Sequence, residues 1–237
     1  MKQLQLNLIR SHSVGVGKPL STSQVRMLEL LRINTLAKGR SGISEPNLHK
    51  YILAFNKGFT PMIPEKGTVG ASGDLAPLAH LALGMIGEGT AWCSQTASYV
   101  PASLIMERLG IHPIKLEEKE GLALINGTQF MSSLTSQALQ KAKVAVSLFR
   151  VLVAFSFEVF ALDGSIFDAE YIQLQKSPEM KRVLKTLGEM VMPKSELHSA
   201  RENTLKHKHR PTSLVQSINC LAACLETLSK VERIVYE

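Results

Sequence analysis

Gly67-Thr68-Val69-Gly70-Ala71-Ser72-Gly73-Asp74-Leu75-Ala76-Pro77-Leu78-Ala79-His80 is the stretch around which the chain is organised. One hydroxyl, that of Ser72, sits among glycines and alanines, and an apolar segment follows at once. Small residues let a backbone turn back on itself and adopt φ > 0. Asp74 is placed to cap a helix, and Pro77 is tolerated in a helix's first turn. Leu75, Leu78, Ala79, Ala82, Leu83 and Ile86 then carry an apolar helix over 74–86. Ser72 thus precedes a helix N-terminus, where the macrodipole favours negative charge. By itself the stretch reads either as an anion-binding loop or as a tight turn.

Upstream, residues 1–11 read as the tail of a helix, with Leu4, Leu8 and Ile9 on one face. That helix begins without a cap, which marks Met1 as an artificial or alternative start. Ser11 to Leu20 is a loop punctuated by glycine and proline, and His12 within it reads first as a surface histidine. Ser21 or Ser23 caps a helix to about Lys38, striped by Val25, Leu28, Leu31 and Leu36. A second helix is predicted over 45–57, after which Pro61 and Pro64 break the chain.

Downstream of Gly87-Glu88-Gly89, residues 90–101 look irregular with a short strand pair, and a helix follows over 101–109. Ile111 to Leu124 reads as extended. Asn126-Gly127 is a turn signal, and Thr128 can cap what comes next. That is the longest element, 129–162, apolar almost all round from Val144 to Phe160, a pattern expected of a buried helix or a subunit interface. Asp163-Gly164-Ser165 ends it, and helices near 178–191 and 213–236 complete the chain. No strand alternation persists, so the class is all-α, with long packed helices. The expected division is a loop-rich, helical region over 1–128 and a long central helix with its helical tail over 129–237.

The 237 residues are 45% hydrophobic, enough for a sizeable core. The formal charge of +7 is spread out, except in Lys206-His207-Lys208-His209-Arg210. One Trp and no aromatic interleaving leave a solvated charged face, with no nucleic-acid partner expected. Met1 to Asn7 lacks a signal-peptide layout, and no apolar run reaches membrane-spanning length, so a cytoplasmic protein is expected. Cys93, Cys220 and Cys224 show neither metal-ligand spacing nor a disulfide framework. Cys220 and Cys224, four apart on a helix, are expected to be small core residues.

Three segments carry a resemblance. Gly70-Ala71-Ser72-Gly73-Asp74-Leu75-Ala76-Pro77-Leu78-Ala79-His80 resembles the signature of the aromatic amino-acid ammonia-lyases. Arg10-Ser11-His12-Ser13-Val14-Gly15-Val16-Gly17-Lys18-Pro19-Leu20 is similar to a second family segment, and Glu120-Gly121-Leu122-Ala123-Leu124-Ile125-Asn126-Gly127-Thr128-Gln129 to a third. Their order and spacing match over about residues 1–170, closest to the histidine-specific branch. The resemblance implies that Ala71-Ser72-Gly73 cyclises to a methylidene-imidazolone, with no metal and no nucleotide. It implies non-oxidative deamination of L-histidine to urocanate and ammonia. It gives Asn126 a place beside the ring, His12 the reading of the substrate's own ring, and Asp74 a supporting role beside the tripeptide. It also implies a cytoplasmic homotetramer.

The chain departs from the family pattern in length and at its end. Family subunits are much longer. The family segment carrying a catalytic Tyr would precede Met1, and the family's second half has no counterpart here. Pro211-Thr212-Ser213-Leu214-Val215 resembles a family segment Pro-Tyr-Ser-Leu-Arg, which puts Thr212 in place of Tyr and Val215 in place of Arg. His209 falls where the family has Gln. That Arg normally pairs with the substrate carboxylate through two hydrogen bonds, which Val cannot make. Two readings follow: an ammonia-lyase represented by a partial or short chain, or a catalytically silent homologue acting with full-length subunits.

Overall fold

The computed structural model of the chain describes residues 2–160, 164–191 and 211–236. Its contacts fall into two compact units, one ending at Gln137 and the other starting at Ala138. The boundary lies inside one long helix. The fold is all-α, with strands confined among the described residues to two short ribbons.

In the first unit, α1 (Lys2–His12) leads into β1 (Val16–Pro19), α2 (Thr22–Ala37) and α3 (Glu45–Asn56). Ser21 starts α2 with a capping box: its hydroxyl accepts from Gln24 N–H, and the Gln24 side chain accepts from Ser21 N–H. β2 (Pro64–Lys66) pairs antiparallel with β1, so part of the loop expected over 11–20 is strand. The Ala71-Ser72-Gly73 loop follows, then α4 (Leu75–Met85). Nearly all of α4 is buried, because it packs on α1 and on α6 (Glu120–Ile125). β3 (Thr90–Cys93) and β4 (Ser98–Pro101) form a hairpin that leads into α5 (Ala102–Leu109). The unit's core gathers Ile9, Val25, Leu28, Tyr51, Phe59, Leu78, Met85 and Ile125.

α6 corrects the extended reading of 111–124. Six residues are too few for an autonomous helix, and tertiary bonds hold this one. The Glu120 carboxylate accepts from Ser44 N–H at 2.8 Å and from Asn47 Nδ2 and Glu117 N–H at 2.7 Å each. Gly121 N–H donates to Gln5 Oε1 at 3.0 Å, and that side chain occupies the space a Cβ at Gly121 would need.

α7 (Gln129–Val159) starts where expected and ends short of 162. The second unit adds a 3₁₀ turn (Gly164–Phe167) and α8 (Ala169–Leu174), neither predicted, then α9 (Pro178–Met190) and α10 (Thr212–Tyr236). Ser177 caps α9 through Met180 N–H. The core of this unit joins Val153, Ala154 and Phe157 of α7 to Val183, Leu184 and Leu187 of α9 and to Ile218 and Leu221 of α10.

One expectation changes here, and the pair of alternatives for the long helix narrows. The Val144–Phe160 stretch buries one face, while Val144, Leu148, Leu152 and Phe155 on the other are 60–65% exposed. Cys220 and Cys224 lie on the exposed side of α10; only Cys93 is buried. Among the described residues, no helix is long and apolar enough to cross a membrane, and no cluster of three or more His, Cys, Asp or Glu could hold a metal ion.

Candidate functional site

The loop before α4 is shaped by its own small residues and by one buried acid. Gly70 takes φ +69, and its N–H donates to Thr68 Oγ1 at 3.0 Å. Thr68 Oγ1 in turn donates to Asp74 Oδ1 at 3.3 Å. Asp74 stands at the N-cap position of α4 and makes no side-chain cap there. Its Oδ2 instead accepts from Met131 N–H at 3.0 Å, in the first turn of α7. Asp74, expected to cap α4, thereby serves an open N–H of α7 instead. Asp74 N–H donates to the Gly127 carbonyl at 2.7 Å.

Gly73 is the point of closest approach. It takes φ +132, and a Cβ there would lie 2.5 Å from Asn126 Oδ1 and within 3.4 Å of the Gly127 backbone. Both the backbone angle and the space exclude a side chain. Ala71 and Ser72 beside it are exposed, while Gly73 and Asp74 are buried. Ser72 is therefore accessible, beside a buried Gly73 and Asp74.

His12 ends α1, half-buried, with Nδ1 2.9 Å from the Leu8 carbonyl. A carbonyl only accepts, so Nδ1 is the donor in this contact. The loop after His12 is pinned from α4: Gly15 N–H donates to His80 Nε2 at 3.1 Å. Burial lowers the His80 pKa, which favours the neutral ring that this bond requires. Gly15 also packs on Gly67, where a Cβ would come 3.2 Å from Gly15 Cα.

The structure thus brings Gly73 against Asn126 and Asp74 against Gly127, and links the loop after His12 to the same region through His80 and Gly67. Thr212 and Val215 lie in the first turn of α10, in the second unit, exposed and half-buried respectively. His209 lies outside the described residues. Thr68, His80 and Arg32 were not singled out from the sequence. The available signal for His80 was a lone polar residue in an otherwise apolar helix; Arg32 shares its buried face with Glu29 and offered no such signal.

The histidine ammonia-lyase of Mus musculus is 52% identical over 170 residues, 72% of this chain and 26% of the relative. That of Caenorhabditis elegans is 40% identical over 237 residues, 100% of this chain and 34% of the relative. The chain therefore spans about a quarter to a third of the length of these curated relatives. The solved histidine ammonia-lyase from Trypanosoma cruzi matches with a TM-score of 0.76 and 41% identity, over 85% of this chain and 39% of that one. Pantoea agglomerans phenylalanine aminomutase matches with a TM-score of 0.87 and 28% identity, over 99% of this chain and 47% of that one. The aromatic amino acid lyase family model matches residues 1–237, and the chain belongs to that family.

Proposed function

We propose that this chain carries the ring-forming half of a histidine ammonia-lyase site, which removes ammonia from L-histidine to give urocanate. The observation that carries the reading is the fit at Gly73, a bare Cα pressed against Asn126 Oδ1 with the Ser72 hydroxyl exposed beside it. In this reading the Gly73 nitrogen bonds to the Ala71 carbonyl carbon. The carbonyl oxygen leaves as water with the amide protons of Ser72 and Gly73. The Ser72 hydroxyl leaves as a second water with the Ser72 Cα proton, and no oxidant is needed. The resulting methylidene-imidazolone supplies an electrophile that turns the substrate's amine into a leaving group.

The other residues hold and orient. Asn126 offers its amide to the ring or the substrate. Asp74 fixes the loop between Thr68, Gly127 and Met131. His12 is assigned to reading the substrate's imidazole. The exposed apolar face of α7 supports a chain that works in association, with further copies of itself or with longer homologous subunits.

A second reading is favoured by Val215 and Thr212: a homologue that forms the ring and does not turn over, for want of the family's Arg and Tyr. Intact mass and an ultraviolet assay separate the two. The purified chain is expected to be lighter than its sequence mass by two waters, and Ser72→Ala to abolish the deficit. With L-histidine, rising near-ultraviolet absorbance from urocanate is expected. A deficit without product selects the silent homologue, and an unshifted mass overturns both ring-based readings.

A further inference from the structure

Arg32 lies on α2, away from the tripeptide, and is 1% exposed. A buried guanidinium is costly unless its N–H groups are used. Arg32 spends its two Nη groups on one short segment, while Nε has no hydrogen-bond partner. Nη1 donates to Gln129 Oε1 at 2.7 Å, and Nη2 donates to the Ala123 carbonyl. These acceptors stand three residues to either side of Asn126. Gln129 Nε2 donates to Thr35 Oγ1 at 3.2 Å, close to Arg32 along α2. One helix thus grips both ends of the turn that carries Asn126.

Gly127 lies between this grip and the candidate site. A Cβ at Gly127 would overlap both Arg32 Nη1 and Gln129 Oε1. From the other side, its carbonyl accepts from Asp74 N–H at 2.7 Å, and its backbone comes within 3.4 Å of where a Gly73 Cβ would stand. The Asn126-Gly127 peptide is therefore clamped, with Arg32 and Gln129 behind it and Gly73 and Asp74 in front.

We propose that Arg32, acting through Gln129 and Gly127, is a positioning residue that presses Asn126 against Gly73 and so sets the geometry in which the Gly73 nitrogen closes on the Ala71 carbonyl. The proposal rests on reading Ala71-Ser72-Gly73 as ring-forming. Without the guanidinium, the Ala123 carbonyl loses this donor and Gln129 loses its anchor. The turn then gains freedom where ring closure needs a fixed wall. Arg32 touches none of the reacting atoms.

Arg32→Met and Arg32→Lys, made in the full chain, test this with two readouts. The first is the rate at which the two-water deficit appears after cell-free synthesis, at a temperature where circular dichroism shows the variants folded. Arg32→Met is expected to slow it about tenfold or more, the scale on which misplacement acts, with Arg32→Lys in between. The second is hydrogen exchange in a Ser72→Ala background, where no ring can form. There Arg32→Met should speed exchange over 123–131 and leave α3 and α5 unchanged. Should Arg32→Met fail to fold, Gln129→Leu breaks the grip while keeping the buried cation, and carries the same expectation. Unaltered exchange over 123–131 overturns the proposal whatever the ring does. A parent chain without the mass deficit overturns the function reading alone, and the exchange still decides Arg32's role.

Discussion

At Gly73 the sequence shows why a bare Cα is wanted, and the structure shows what stands in the way, Asn126 Oδ1 from a segment more than fifty residues downstream. Small residues in a loop are legible from local geometry, whereas the obstacle across the fold is not. Asp74 teaches the same. Its N-cap position was readable, but the hydrogen bond its carboxylate makes there depends on Met131. Glu29 was invisible for a different reason. It neighbours Leu28 in the stripe read from α2, yet it is fully buried, with neither carboxylate oxygen hydrogen-bonded. Burial pushes its pKa well above the usual carboxylate range, and Arg26, at 3.7 Å, only partly opposes that. A raised folded value means that its stabilising contribution is full below the ordinary Glu range and lost as pH rises through the folded value. Glu29→Met is therefore expected to stabilise the chain at neutral pH by about 1–3 kcal/mol, the cost of an unsatisfied buried polar group. Urea unfolding at pH 7.5 should show the gain, and at pH 4 it should shrink.

The helices legible in the sequence, α1, α2, α3, α4, α5, α7, α9 and α10, each bury side chains in one of the two cores, but the spacing does not tell which apolar residues stay outside: α3 buries Tyr51 and Ala54 and leaves Leu53 exposed. α6 and β1 were missed because their partners are remote: Glu120 is held from Ser44 and Asn47, and Val16 pairs with Lys66. For Glu120, burial would raise the carboxyl pKa, but the hydrogen bonds from Glu117, Ser44 and Asn47 outweigh it and the net shift is downward. A lowered folded value means stability present above the ordinary Glu range and lost as pH falls through the folded value. Glu120→Ala strands three donors and should cost about 2–4 kcal/mol at neutral pH. Thermal unfolding should show the loss, and the gap from the parent chain should narrow in acid.

Each unit has its own core, and α7 contributes to both: Phe130 and Leu134 belong with the first, Val153 and Phe157 with the second. The opposite face of α7 carries Val144, Leu148, Leu152 and Phe155 in the open. Its apolar girth was legible in the sequence; how much of it this chain covers was not. Such a strip is expected to drive self-association. The triple variant Leu148→Gln, Leu152→Gln, Phe155→Gln should lower light scattering and hydrophobic-dye binding, while its unfolding free energy shifts by about 0.5 kcal/mol per site or less, as exposed positions allow. The Asp74–Met131 hydrogen bond adds an order of events. It spans 57 positions, so a chain growing from the ribosome presents Ala71-Ser72-Gly73 long before its clamp has been synthesised. The loop gains that bond only once the first turn of α7 has emerged, so under the proposed function ring closure is expected in chains elongated past Met131 and not in shorter ones.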